Sequence, residues 1–373
     1  MIKKLLFALL ILISFSGFSQ SLSLSEKAKV SILTCGLGPE SYAMYGHTGI
    51  RIKDSVRGID VVYNYGAFDF STPNFIGRFI KGDLQYFVTN GSFIDFYYNY
   101  QAENREIIEQ ELALTPAQIN TLFQQLNHSV YSDERYYTYK FIDRNCTTMV
   151  VDKINGILGN EYIKSDSDNI SYREILYPYM SDFYMKLGIQ LIFGAKVDEP
   201  ATRLFLPYEF KEAISATKIN GNIIEKSNTK ILEVTKTEIP FNGLNSIYSL
   251  IAALLLLVLL NKKGIKISYF VFAGLLGLFF SLVGLYSLHE EILWNYNILL
   301  FNPLLLVLAG YYKKENRHKT LLFGKIILAM LLVYLAYMTT KIHLEIVWPF
   351  IALHLYWIGK IVLQAKKSNS KHS

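Results

Sequence analysis

The pattern of hydrophobic and polar residues changes along this 373-residue chain near residue 243. Before that point, short runs rich in Val, Ile, Tyr and Phe are separated by Gly, Asp and Asn turns, a pattern typical of β-strands. After it, the apolar runs are long and almost uninterrupted. The pattern therefore predicts a mixed globular domain followed by a set of membrane-spanning helices.

In the first region, helix signals follow a series of strand signals. Thr115 is a good N-cap, with Pro116 in the first turn and Gln118 in the capping-box position. A later helix is predicted to begin at the N-cap Asn145 and to end at Gly159. The other expected elements are strands at 28–36, 47–54, 60–68 and 84–90, a helix at 101–114, an extended stretch at 137–143, a loop leading to a short helix at 200–210, and a hairpin or linker at 220–245. This order indicates an α+β fold.

The second region contains five apolar runs close to the roughly 20 residues that a helix needs to cross a bilayer. They are 244–260, 267–285, 298–312, 321–340 and 346–363. Alternate loops and the C-terminal tail are rich in Lys and Arg, and such loops face the cytoplasm. Five spans then place the first region outside the cytoplasm and the C-terminus inside.

The N-terminus has the features of a secretory signal: Lys3 and Lys4, a short apolar run, and the small residues Gly17 and Ser19. The expected divisions are a signal peptide at 1–19, a periplasmic catalytic domain at 20–242, a five-helix transmembrane domain at 243–365 and a cytoplasmic basic tail at 366–373. The net charge of +6 comes mostly from the membrane-flanking residues, so it does not indicate a nucleic-acid partner.

Two short motifs carry the candidate chemistry. Cys146, in "FIDRNCTTMV", is predicted to lie in the first turn of a helix, where unpaired amides and the helix dipole stabilise a thiolate. His47, in "MYGHTGIRI", begins a strand between two glycines and is the candidate general base. A third polar group usually orients such an imidazole, and Asn64 is the first candidate for it, with Asp69 second.

Other readings of these residues stay open. Tyr45 and Arg144 are candidate substrate-binding residues, and Arg144 suits an anionic group. Cys35 and Cys146 could instead form a disulfide, because the domain is expected in an oxidising compartment. The histidines are scattered and have no zinc-ligand spacing, so neither a metal nor a cofactor is expected.

A Gly-His strand followed by an Asn-Cys helix start resembles the circularly permuted, papain-like branch of the NlpC superfamily, which includes the lecithin–retinol acyltransferases. The similarity extends to "YNYGAFDF", "GDLQYFV" and "GAKVDEPATRLFLPYEF", followed by the five spans. Together these look like the Lnb-type lipoprotein N-acyltransferases of Bacteroidota. The resemblance implies an inner-membrane enzyme with a permuted NlpC-type thiol domain.

The resemblance also implies the reaction. A fatty acyl chain would pass from a phospholipid, through a Cys146 thioester formed with His47 as base, to the α-amine of the diacylglyceryl-cysteine of a lipoprotein. The outer loop "HEEILWNYNILLFNPL" looks family-like, which makes His289, Asn295 and Asn297 candidate substrate-binding residues or, alternatively, interfacial anchors and helix caps. Two rival functions stay open: a peptidoglycan amidase or endopeptidase, and a non-catalytic membrane protein with a Cys35–Cys146 disulfide.

Overall fold

A computed structural model describes residues 23–165, 169–235 and 241–369. The predicted signal peptide lies outside the described residues, as do the last four residues of the predicted tail. The outer domain is built on a seven-stranded antiparallel sheet with the strand order β6-β4-β3-β2-β1-β5-β9. The strands are β1 Lys29–Cys35, β2 His47–Asp54, β3 Ile59–Ala67, β4 Gln85–Ser92, β5 Ile107–Leu112, β6 Tyr136–Thr138 and β9 Glu225–Leu232, with a separate hairpin of β7 Lys218–Ile219 and β8 Asn222–Ile223.

Seven helices accompany the sheet in the described part of this domain. They are α1 Phe75–Lys81, α2 Phe93–Ala102, α3 Pro116–Tyr131, α4 Cys146–Leu158, α5 Tyr172–Leu176, α6 Phe183–Ile192 and α7 Pro207–Ala216. The capping box predicted at Thr115 and the N-cap predicted at Asn145 are both formed, Asn145 making a capping box with Thr148, and α4 closes on Gly159. Helices α3, α4 and α7 bury their apolar residues against one face of the sheet, and α2 inserts Phe96 against the other. The α+β prediction is confirmed.

The helix predicted at 101–114 is wrong. Helix α2 ends at Ala102, Asn104 takes a left-handed conformation (φ 51°), and the chain enters strand β5. Glu and Gln favour helices, but here Glu109 accepts hydrogen bonds from Arg51 of β2 at 3.1 and 3.2 Å. Because β5 also pairs with β1 and β9, the sheet overrides the local helix preference.

The membrane region is helical, and the described part contains four segments long and apolar enough to span a bilayer: Lys263–Tyr286, Glu290–Lys313, Arg317–Met338 and Leu344–Lys366. They correspond to four of the five predicted spans. The first predicted span is the shorter α8, Ile247–Leu260, which covers about 21 Å of a hydrocarbon core about 30 Å thick. The remaining helices are α9 Lys263–Tyr286, α10 Leu304–Lys313, α11 Arg317–Met338 and α12 Leu344–Asn369.

Glu290–Lys313 is an interrupted span. Two short 3-10 turns, Glu290–Ile292 and Tyr296–Leu299, precede α10. This broken stretch packs tightly on α9, because a Cβ atom at Gly277 would lie 1.5 Å from the Phe301 carbonyl oxygen. A glycine is therefore required at that crossing.

Candidate active site

Cys146 is the first residue of α4, and Asn145 fixes its position. The Asn145 Oδ1 accepts hydrogen bonds from the amides of Thr147 (2.8 Å) and Thr148 (3.0 Å). The side-chain nitrogen Nδ2 of Asn145 donates to the Phe205 carbonyl at 2.9 Å. One buried side chain thus caps the helix and ties it to the loop before α7, so the thiol is held at a defined point of the sheet surface.

His47 begins β2, directly opposite Cys35 of β1. The preceding Gly46 has a φ of 81°, and a Cβ atom there would lie 2.5 Å from the Cys35 carbonyl oxygen. Glycine is therefore needed for the close turn that delivers His47 into the sheet. Asn64 lies opposite Gly49 on β3, and its Oδ1 is 3.2 Å from His47 Nε2. Since this oxygen can only accept, the contact fixes the proton of a neutral imidazole on Nε2 and leaves Nδ1 unprotonated.

The pKa of the Cys146 thiol is lowered. Burial is the largest influence and acts in the opposite direction, raising the pKa. The charge of His47 and a hydrogen bond from its side chain outweigh that effect, helped by the Thr48 amide and the Thr147 hydroxyl. The structure therefore brings His47, Asn64 and Cys146 together in an arrangement that favours a thiolate.

The donors available to an oxyanion are fewer than the helix start suggests. A helix start can offer an oxyanion the amide of Cys146 together with a neighbouring amide of the first turn. The amides of Thr147 and Thr148 already bind Asn145, so that neighbour is excluded. The Thr147 hydroxyl lies 3.9 Å from the Cys146 sulphur and 3.0 Å from the Thr48 hydroxyl. The Cys146 amide is thus the first-turn donor left for a negatively charged oxygen.

The other candidates near the site differ in their surroundings. Tyr45 packs its ring against Phe141 and Tyr179, and its buried hydroxyl has no hydrogen-bond partner among the described residues. Arg144 is exposed, with its guanidinium 5.3 Å from the Tyr137 ring centroid. Asp69 is exposed and bonds to Ser71, whereas Asn64 contacts His47.

Cys35 does not pair with Cys146, and both cysteines are free. Cys35 is completely buried among apolar residues on the α2 side of the sheet. Burial raises the pKa of its thiol to about 12. The disulfide alternative therefore has no support in this structure, and the two thiols have opposite chemical character.

The three polar candidates of the loop between α9 and α10 bond to backbone carbonyls of the outer domain. They lie in what we call the joint: the contacts of residues 190–198 and 79–82 with residues 287–297. The side-chain amide of Asn295 donates to the Leu191 carbonyl at 2.8 Å, and the side-chain amide of Asn297 donates to the same carbonyl at 3.0 Å. His289 Nε2–H donates to the Phe79 carbonyl at 2.8 Å. These side chains fasten the outer domain to the membrane helices.

Sequence reasoning missed several residues near the thiol. Gly66, with a φ of 100°, would place a Cβ atom 3.5 Å from the Cys146 Cβ. Tyr86 and Tyr137 lie close enough for the thiolate charge to act on their hydroxyls. Glu291, almost fully buried, accepts a hydrogen bond at 3.1 Å from the Ile142 amide, four residues before Cys146. A glycine within the aromatic run "YNYGAFDF" is the local sequence signal that could have identified Gly66.

Within the described residues, no group of three or more His, Cys, Asp or Glu side chains could hold a metal ion. The fold and this site define a membrane-anchored protein whose outer domain carries a cysteine–histidine pair. The family model of the Lnb N-terminal periplasmic domain matches residues 17–177, and that of the Lnb transmembrane domain matches residues 239–368. The chain therefore belongs to the Lnb family.

Family membership gives this protein a periplasmic N-terminal domain and a membrane domain, and it supports a membrane protein that modifies lipoproteins. Searches of curated proteins and of solved structures found no match.

Proposed function

We propose that this protein is a thiol acyltransferase that moves a fatty acyl chain from a phospholipid to the α-amine of the N-terminal diacylglyceryl-cysteine of lipoproteins. The observation that carries the proposal is the Cys146 thiol, with its lowered pKa, at a helix N-terminus beside an imidazole that Asn64 orients. The protein would act in the inner membrane, with its C-terminus in the cytoplasm.

In the first step, the Cys146 thiolate attacks the carbonyl carbon of a phospholipid ester. A carbon–sulphur bond forms, the ester carbon–oxygen bond breaks, and the His47 imidazolium gives its proton to the departing lysophospholipid oxygen. The amide of Cys146 is placed to stabilise the tetrahedral oxyanion.

In the second step, the lipoprotein amine attacks the thioester carbonyl. A carbon–nitrogen bond forms, the carbon–sulphur bond breaks, and His47 removes the proton that the nitrogen loses. The thiolate is regenerated, so each cycle transfers one acyl group and needs no cofactor. The joint supports this chemistry, because it holds the thiol domain against the membrane helices where both lipid substrates reside.

The test is mass spectrometry of a diacylglyceryl-cysteine lipopeptide incubated with the purified full chain in phospholipid vesicles. We expect a gain of one fatty-acyl mass on the peptide amine, and no gain with Cys146→Ala. An equal gain with that variant would remove Cys146 from the reaction. Cleavage of peptidoglycan fragments by the wild type, without lipopeptide acylation, would favour the amidase or endopeptidase instead.

A further inference from the structure

A strongly apolar surface lies beside the thiol site on residues 70–81, which we call the interfacial segment. Helix α1 has the sequence "FIGRFIK", yet none of its residues is buried by the rest of the chain. Ile76 is 72% exposed and Phe70 is 67% exposed, and Phe79 and Ile80 are also exposed. A contiguous apolar surface of this kind marks a contact with a membrane or a partner.

The interfacial segment is tied to the end of a membrane helix. Helix α9 ends at Tyr286, and the next three residues all bond to α1. The Ser287 hydroxyl donates to the Ile80 carbonyl and the Leu288 amide to the Lys81 carbonyl, each at 2.7 Å. His289 completes the attachment through the Phe79 carbonyl.

These three bonds fix the level of the segment relative to the bilayer. Because residues 287–289 directly follow a transmembrane helix, α1 lies where the hydrocarbon core meets the headgroups. The exposed residues Leu285, Tyr286 and Leu288 extend its apolar surface onto that helix end. Arg78, exposed on α1, adds a positive charge of the kind that suits lipid phosphates.

An aromatic row connects this surface to the thiol. The ring centroids of Phe70 and Phe68 are 4.9 Å apart, and those of Phe68 and Tyr86 are 5.1 Å apart. Tyr86 in turn lies in the same apolar cluster as Val150 and Val151 of α4, the helix that begins with Cys146. Gly66, two residues before Phe68, lies next to the nucleophile, because a Cβ atom there would be 3.5 Å from the Cys146 Cβ. Apolar side chains therefore extend from the exposed interfacial segment to the surroundings of Cys146.

We propose that the interfacial segment inserts into the outer headgroup layer of the bilayer, and that the aromatic row guides a phospholipid acyl ester from there to Cys146. The proposed insertion is supported by the exposed apolar surface of the interfacial segment and by its bonds to the end of α9. The guiding role rests on the proposed acyltransferase function.

Insertion is tested by spin labelling of the full chain in phospholipid vesicles. In a Cys146→Ala background, Ile76→Cys is labelled with a nitroxide, and Val56→Cys, 62% exposed on the β2–β3 turn, is the matched control. Buried Cys35 is shielded from the reagent. We expect the residue 76 label to collide more with oxygen than with a water-soluble nickel chelate, and the residue 56 label to show the reverse. Equal behaviour of the two labels, or spin–spin broadening between copies at residue 76, would overturn insertion.

The guiding role is tested with Phe70→Ser, which removes the outermost ring of the aromatic row, combined with Ile76→Ser. We expect acyl transfer from vesicle phospholipid to fall at least about tenfold, while alkylation of Cys146 by iodoacetamide proceeds at the wild-type rate. Val56→Ser should leave both rates unchanged. Unchanged transfer in the double variant would overturn the guiding role. Absence of transfer in the wild type would instead refute the acyltransferase, and the spin-label result would still decide insertion.

Discussion

Arg173, near the joint, and Cys146 are both polar residues within the outer domain, but their surroundings satisfy them to different degrees. The Arg173 guanidinium donates to Asp198 at 2.9 Å, to the Gln190 side chain at 2.7 Å and to the Gly194 carbonyl at 3.0 Å, so each of its nitrogens is bound. The Cys146 sulphur is influenced by the His47 imidazole and the Thr48 amide, and the Thr147 hydroxyl lies 3.9 Å from it.

This difference separates polar groups that stabilise from polar groups that react. A saturated network such as that of Arg173 holds its neighbours in one arrangement and leaves nothing for a substrate. The Cys146 site keeps its nucleophile, one amide and an imidazole nitrogen available. By this criterion Asn295 and Asn297 belong with Arg173, because their amides bind carbonyls of α6.

The largest effect is expected from His47→Gln. Loss of the general base should slow lipopeptide acylation by about 10²–10⁴-fold, because glutamine cannot take up the proton. The free energy of unfolding should change little, because the glutamine amide can still donate a hydrogen bond to the Asn64 oxygen that His47 contacts. Initial rates and denaturant unfolding of the two proteins provide the comparison.

His128→Gln, at an exposed position on α3, is the control and should retain the wild-type acylation rate. A His47→Gln enzyme with more than a tenth of the wild-type rate would contradict the assigned role of the imidazole.

Arg173→Met should have its main effect on stability. It leaves the buried Asp198 carboxylate without its guanidinium partner, and breaking a buried pair in this way typically costs about 3–5 kcal/mol. Arg203→Met, which removes a largely exposed pair with Asp152, should cost less than about 1 kcal/mol. Denaturant unfolding in detergent measures both, and equal costs would contradict a stabilising role for the buried Arg173–Asp198 pair.

Asn64→Ala should have a smaller effect on catalysis, because the asparagine orients the imidazole without touching the reacting atoms. Loss of one hydrogen bond is worth about 0.5–1.5 kcal/mol, or about 3- to 10-fold in the acylation rate. The pH profile should change together with the rate, since His47 loses its fixed proton position. A slower enzyme with an unaltered pH profile would point to a purely structural role.

The smallest change concerns thiol reactivity. Because the pKa of Cys146 is lowered, its alkylation by iodoacetamide should begin at a lower pH than for an ordinary cysteine, and His47→Gln should move that onset upward. The raised pKa of Cys35 should keep that thiol unmodified throughout. Peptide mapping of the alkylated protein shows which of the two cysteines is modified. Modification of Cys35 at neutral pH would contradict its burial.

Local signals were sufficient for α3 and α4, since each begins at an N-cap residue that is visible in the sequence. Strand β5 could not be assigned in the same way. Its extended conformation depends on pairing with β1 and β9, which are distant in the sequence. The motifs indicated the candidates His47, Asn64 and Cys146, and the fold supplies their geometry. The partners of Asn295 could not be inferred, because Leu191 lies 104 residues earlier.

The joint also affects how fragments should be interpreted. A released 20–242 domain would lack Glu291 and Asn295, which bind the backbone of the outer domain. Inactivity of that fragment would therefore not distinguish an acyltransferase from a peptidoglycan amidase or endopeptidase. Either enzyme would lose the bonds from Glu291 and Asn295.

The bond from the Ile142 amide to Glu291 joins residues 149 positions apart. During synthesis the ribosome makes the loop before the nucleophile long before it makes the carboxylate that holds this loop. The nucleophile loop therefore acquires its final support only after α9, which precedes Glu291, has been synthesised. The reactive site can therefore reach its final arrangement only after part of the membrane domain has been synthesised.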